Sequence, residues 1–257
     1  MRMLLLLLLL LSCCYYTTTA LTTTISSTRS QKRKLLSLAS LSASRDFDFS
    51  SQQGWNNFYE QGDEVTEWHS SISFDILLEQ YIPRGSSILI IGCGNSKLPK
   101  YIYDAYNSDS DDTHICCLDS SQACLDQLQR QFENDDNDND NDTPNNNVSF
   151  VCGDAVELTK TVGVGGASKP KFDIIIDKGL VDALLCGEGW NVPLERLLQE
   201  SSRILLEKKG SKYLLISYQL PKSTQEFMKQ VTCDTLEWSF QRPESNGRVQ
   251  VSVATKI

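Results

Sequence analysis

At 257 residues, 40% apolar and 22% charged, the chain has the length and composition of a globular protein with one buried α/β core plus appendages, or at most two small domains. Six of the 24 basic residues precede Asp46, so the remainder sets 18 basic against 33 acidic side chains, a balance that excludes a nucleic-acid backbone as primary partner. Nine cysteines make neither a disulfide framework nor a zinc site: Cys13 and Cys14 lie near the N-terminus, the other seven contain no C-x-x-C, and the two histidines, His69 and His114, are far apart.

The N-terminal stretch is an address or a tail rather than part of the fold. Arg2 precedes eight leucines, Leu4 to Leu11, well short of the roughly 20 apolar residues that span a bilayer. Thr18 and Ala20 suit a cleavage site, and Leu21 to Arg45 is rich in Ser and Thr, carries Arg29, Lys32, Arg33, Lys34 and Arg45, and has no acid. That composition is expected of a cleavable leader to a mitochondrion or plastid; secretion, or a cytoplasmic protein with a tail, are the alternatives. Free thiols in apolar segments favour a reducing compartment over secretion. Residues 1–50 are thus set apart, and 51–257 form the expected domain, with no stable membrane insertion and no indication of oligomeric state. Within it, the Asn/Asp-rich stretch 133–147, "ENDDNDNDNDTPNNN", has no apolar residue and is expected to be a solvated loop. It lacks the Gly and terminal Glu of a calcium loop.

Between these segments strands and helices alternate. "SILIIG" is a short apolar run bounded by turn residues, as a fully buried parallel strand requires, and a helix follows from about Leu98 to Tyr106. "HICCLD" is the second strand; Leu125, Leu128 and Phe132 then fall at helical spacing behind a Ser120/Ser121 cap. "VSFVCGD" and "FDIIID" are the third and fourth strands, and "KGLVDALLCG" is a short helix. In "NVPLERLLQESSRILLEKKG", Asn191 is expected to cap a helix that buries Leu194, Leu197, Leu198, Ser201 and Leu205 and stops at Gly210. "KYLLISY" is the fifth strand, and two alternating runs about a Pro/Asn/Gly turn at the C-terminus signal an antiparallel hairpin. The fold class is α/β: one doubly wound, mostly parallel sheet ending in that hairpin.

Ligands of such sheets bind beyond the carboxyl ends of the strands, near the topological switch point. Those ends read Gly92-Cys93-Gly94-Asn95-Ser96, Asp119-Ser120, Gly153-Asp154-Ala155 and Asp177-Lys178-Gly179. Three strands therefore deliver a carboxylate to one rim. A dinucleotide wants G-x-G-x-x-G at a helix N-terminus, and Lys97 stands where the last glycine belongs. S-adenosyl-L-methionine carries no phosphate. It needs a glycine turn against its amino-acid part, a carboxylate for the ribose hydroxyls and a polar contact to the adenine edge, which Gly92 with Gly94, Asp119, and Asp154 with Ala155 supply.

At this point "GCGNS" followed by "DKGLVDALL" resembles the seven-β-strand methyltransferases related to the lysine methyltransferases of elongation factor 1-alpha and of mitochondrial citrate synthase. The prelude "WNNFYEQGDEVTEWHSS" is similar to that family's leading helix, W-x-x-x-Y, and its Glu/Asp-Trp pair. The likeness covers roughly Trp55 to Ile257, departing in "GLVD", where "GT-x-D" is usual, and in the Asn/Asp insert. It implies that Trp55, Tyr59 and Trp68 fold over the cofactor, that Lys178 sits at its edge, and that the acceptor is a lysine side chain of a protein. A small-molecule acceptor, or a non-catalytic adaptor keeping the fold, are the alternatives. A lysine acceptor must lose a proton, which a desolvated pocket favours and a nearby carboxylate orients; Asp177 and Asp182 are the candidates for that role. His69 receives none.

Overall fold

The structure, a computed structural model, describes residues 48–62, 64–106, 112–133, 147–162, 171–241 and 248–257. All of the expected leader except residues 48–50, which group with the domain, and nearly all of the Asn/Asp-rich insert lie outside the described residues.

Two short helices, α1 (Gln52–Glu60) and α2 (Phe74–Tyr81), lead into β1 (Ser87–Ile91), α3 (Leu98–Tyr106), β2 (His114–Asp119), α4 (Gln122–Glu133) and β3 (Val148–Cys152). A single 3-10 turn (Ala155–Glu157) runs into α5 (Leu158–Thr161). The second half comprises β4 (Ile174–Lys178), α6 (Leu180–Leu185), α7 (Asn191–Ile204), β5 (Lys212–Tyr218), α8 (Lys222–Val231), β6 (Leu236–Phe240) and β7 (Val249–Lys256).

The seven strands form one sheet in the order β3-β2-β1-β4-β5-β7-β6. Parallel pairing runs from β3 through β5, and β7 is antiparallel to both of its neighbours. The chain turns outward from β1 to β3, then returns to β4 on the other side of β1, so the switch point lies between β1 and β4.

Uniformly apolar strands follow from burial on both faces. On one face Leu89, Ile91, Leu118, Ile175 and Leu215 pack with Leu194, Leu197 and Leu198 of α7. On the other, Ile88, Ile90, Ile115, Ile174 and Ile176 pack with Leu77 of α2, Ile102 of α3 and Leu125 of α4. Each such side chain, once withdrawn from water, contributes about 1.5–3 kcal/mol.

Two expectations about α7 are corrected. Asn191 is its first residue rather than its cap: Trp190 holds the cap position with no side-chain bond. Pro193, two residues beyond Asn191, has no N–H for an Asn191 side chain to receive. The helix also ends at Ile204, short of Gly210, because Leu205 turns extended and bridges Phe172 beside β4. Tertiary pairing overrides the glycine stop. Helices α2 and α8 lie outside the expected elements; α2 buries Leu77 and Leu78, and α8 buries Thr224 and Met228 with Phe227 and Val231 partly buried beside them.

Candidate functional site

Gly92 and Gly94 both turn left-handed, at φ 56° and 58°. Asp119, at the end of the adjacent strand, points into this bend. Its Oδ2 accepts from the Gly94 N–H at 2.9 Å and its Oδ1 from the Ser121 N–H at 3.0 Å. The Ser120 backbone and the Cys124 thiol also bond to this carboxyl. Burial pushes this carboxyl above its ordinary range, and the backbone N–H donors partly offset that.

Part of the glycines' value is internal packing. A Cβ on Gly94 would lie 2.9 Å from the Tyr59 hydroxyl, and one on Gly92 would lie 3.0 Å from Leu180 Cβ. Tyr59 is buried, and Trp55 stacks on it at 6.1 Å while meeting Trp68 edge-on at 5.8 Å. The Trp55 indole N–H donates to the Phe49 carbonyl, whereas the Trp68 indole N–H is buried without a partner. The three aromatics of the prelude therefore do converge beside the glycine bend.

A strap, residues 64–69, joins the prelude to the rim, and most of its anchors escaped sequence reading. Asn95 donates to the Glu64 carbonyl at 3.0 Å and accepts from the Thr66 N–H at 2.9 Å. Gln127 of α4 accepts from Asn95 and donates to the Tyr59 and Gly62 carbonyls. Glu67 accepts from the Ser96 hydroxyl and from the Lys97 N–H at 3.0 Å. A carboxylate thus already occupies the start of α3, where a pyrophosphate would want to sit. This supports the exclusion of a dinucleotide.

Five of the expected site residues have partners other than those expected. Lys178 is paired within the protein: its ammonium donates to Glu67 Oε1 at 2.6 Å and to the Trp68 carbonyl at 2.8 Å, and it is only 7% exposed. Burial lowers its pKa and Glu67 works the other way. Lys178 buttresses the strap. Replacing it by Met is expected to cost about 3 kcal/mol in urea unfolding, the low end for breaking a buried pair because Glu67 keeps Ser96 and Lys97; the double replacement with Glu67→Gln should restore part of the loss.

Asp177 cannot orient an acceptor amine. It is fully buried, its Oδ1 accepts from the Leu180 and Val181 N–H groups, and its Oδ2 accepts from the Tyr213 hydroxyl at 2.7 Å. It fastens the start of α6 from beneath the rim. Asp154 is exposed and caps the 3-10 turn through the Val156 N–H at 2.9 Å, while the Ala155 side chain packs into the core with Leu158. The third strand end therefore offers Asp154's second oxygen and no Ala155 side-chain contact. Ser121, not Ser120, caps α4, through the Cys124 N–H; Ser120 contributes its carbonyl, which accepts from Gln52.

Asp182 is at the rim, with a partner no sequence signal gave. Its Oδ2 lies 2.9 Å from His69 Nε2, and the Tyr218 N–H donates to both of its oxygens. Burial raises its pKa and the His69 bond lowers it. The histidine set aside in the sequence is thus part of the rim.

The strand order, with its antiparallel C-terminal hairpin, is that of the seven-strand methyltransferase fold. No family model matches the chain. Over 174 residues, 66% of this chain, it is 28% identical to the human eEF1A lysine and N-terminal methyltransferase. It is 25% identical over 173 residues to the mouse EEF1A lysine methyltransferase 4, covering 63% of this chain and 59% of that protein. The chain spans about a fifth of the length of the human relative, 22%. Among solved structures, one described as the conversion of a disulfide bond into a thioacetal group during echinomycin biosynthesis superposes with a TM-score of 0.54 at 13% identity, over 80% of this chain and 93% of that one. The likeness to citrate synthase methyltransferases is not carried by these relatives.

Proposed function

We propose that the chain is an S-adenosylmethionine-dependent methyltransferase whose acceptor is a lysine side chain of a protein. The observation that carries the reading is Asp119 turned into the paired-glycine bend, 2.9 Å from the Gly94 nitrogen. The protein-lysine acceptor draws its support from the two relatives just described, both named for lysine methylation of eEF1A.

The residues present fit the cofactor. Asp119 would hold the ribose hydroxyls, the bend would face the amino-acid part, and the unpartnered Trp68 indole N–H would meet an acceptor atom of the ligand. When bound, it supplies a methyl group already activated on a sulfonium, so the protein's work is alignment and exclusion of water. The strap, tied at Asn95, Ser96, Lys97 and Lys178, performs that exclusion. An excess of acid over base on the domain suits a basic acceptor segment.

The test is transfer of labelled methyl to proteins of a cell extract, followed by mass spectrometry of the labelled peptides. Methyl-lysine is the expected product. Label confined to small molecules would move the acceptor class, and bound S-adenosylhomocysteine with no transfer at all would make the chain an adaptor. We also propose that the segment before Asp48 is a cleavable organelle leader, to a mitochondrion or plastid; Phe49, which holds the Trp55 indole, belongs with the domain. Intact mass of the protein purified from its own cells should then show loss of the segment before the domain.

A further inference from the structure

We propose that His69 Nδ1, with Asp182 behind it, takes the proton that an acceptor amine must lose before it can be methylated. The inference deepens the methyltransferase reading and rests on it.

The imidazole is held by one nitrogen only. Nε2 lies 2.9 Å from Asp182 Oδ2, and an ionised carboxylate only accepts, so Nε2 carries the hydrogen and Nδ1 presents a lone pair. That Nδ1 is buried and has no hydrogen-bond partner, although the side chain is only 2% exposed. A buried polar atom without a partner calls for an explanation, a catalytic role among them.

Two backbone features place the ring there. His69 has a φ of 60°, making it the only non-glycine with positive φ among the described residues. Such strain persists where the surroundings impose it and clusters at functional sites. A Cβ on Gly179, itself at φ 95°, would lie 3.2 Å from His69 Nε2, so the glycine after β4 makes room for the ring.

The position also divides the rim by role. Asp119 lies on the β2 side of the switch point, with the nucleoside. His69 lies over the ends of β4 and β5, between Gly179 and Tyr218, whose ring it meets edge-on at 4.8 Å. The titratable or charged groups around it are Asp182 of α6 with Cys186 behind it, Tyr218 of β5, Asp177 beneath, and the Lys178–Glu67 ion pair on its flank.

In the step, an N–H bond of the acceptor ammonium breaks and its proton forms a bond to Nδ1. The electron pair stays on the amine nitrogen as the nucleophile. The imidazolium is stabilised by the Asp182 carboxylate and returns its proton to solvent after the product leaves. Nothing is oxidised or reduced.

The variant is His69→Gln, whose amide N–H can still reach Asp182 but which has no lone pair in the place of Nδ1. One readout needs no acceptor. By titration calorimetry, wild type should bind sinefungin, in which a carbon bearing a primary amine replaces the methylsulfonium, about tenfold more tightly than S-adenosylhomocysteine, the worth of one charge-assisted hydrogen bond. His69→Gln should lose that preference while its S-adenosylhomocysteine affinity stays within about threefold. The second readout is methylation rate against pH: the variant should be about a hundredfold slower near neutrality, with the deficit shrinking as rising pH deprotonates the acceptor. Asp182→Asn, which keeps shape but removes the charge, should shift both readouts in the same direction and by less, and it stands in if His69→Gln does not fold.

An unchanged sinefungin preference and pH profile would make His69 a packing residue and overturn the proposal. So would equal weakening of both ligands, which would assign Nδ1 to the cofactor's own amino group. Failure of wild type to bind S-adenosylhomocysteine would instead defeat the methyltransferase reading, and is seen separately.

Discussion

Asp177→Ala is expected to destabilise the domain by about 4 kcal/mol, because it leaves three buried donors without an acceptor at about 1–3 kcal/mol each, partly relieved by relaxation. Those donors are the Leu180 and Val181 N–H groups and the Tyr213 hydroxyl, and the last two lie in residues with no exposed surface. Urea unfolding measures the loss. The carboxyl also makes stability depend on pH. Burial raises its pKa from the usual 3.8 to about 7, with the Tyr213 hydroxyl and the two N–H groups acting against that rise. The folded state therefore holds a proton that the unfolded chain has released. The associated stability is fully present below about pH 3.8 and is lost as pH rises through about 7. Asp119 and Asp182, also raised by burial, contribute with the same sign. Asp177→Asn, which cannot titrate, should flatten the decline between pH 5 and pH 8 without changing its direction. A wild-type stability that climbs across that interval would contradict the assignment.

The same residue shows how far local sequence reaches. A carboxylate at the end of a strand serves either a pocket or the helix that follows, and both uses leave the same letters. Burial decides between them, and burial is a property of the assembled sheet. Asp119 lies against the glycine bend that follows the neighbouring strand β1, where its place at a strand end puts it. Asp177 was misread because Tyr213, its buried partner, comes from β5 and carries no motif. Lys178 followed the same pattern, drawn down by Glu67 from the strap.

Strands β1, β2, β4 and β5 are legible for a physical reason: covered on both faces, they are apolar at most positions. The strap was not, since its bonds run through side-chain amides and carbonyls with no periodicity. The Glu67-Trp68 pair was the one trace of it. His69 carries no signal in the sequence, as its partner Asp182 lies on α6, beyond β4.

The second large effect concerns Asp119. Its two oxygens tie the Gly94 and Ser121 N–H groups together, which shapes the bend, and on the proposed reading the same carboxylate holds the ribose hydroxyls. Asp119→Ala removes both contributions. Two hydrogen bonds to a charged acceptor, at about 1.5–3 kcal/mol each, correspond to at least a hundredfold loss of affinity. Asp154→Ala should cost far less, since that exposed side chain already caps a turn.

Calorimetric titration of the domain with S-adenosylhomocysteine, wild type against Asp119→Ala, is the decisive comparison. Wild type should bind, ignore NADH, and lose at least about a hundredfold in affinity when the carboxylate is removed. Equal affinity in the two proteins, or no binding to the wild type, would contradict the assignment of this rim to an adenosyl ligand.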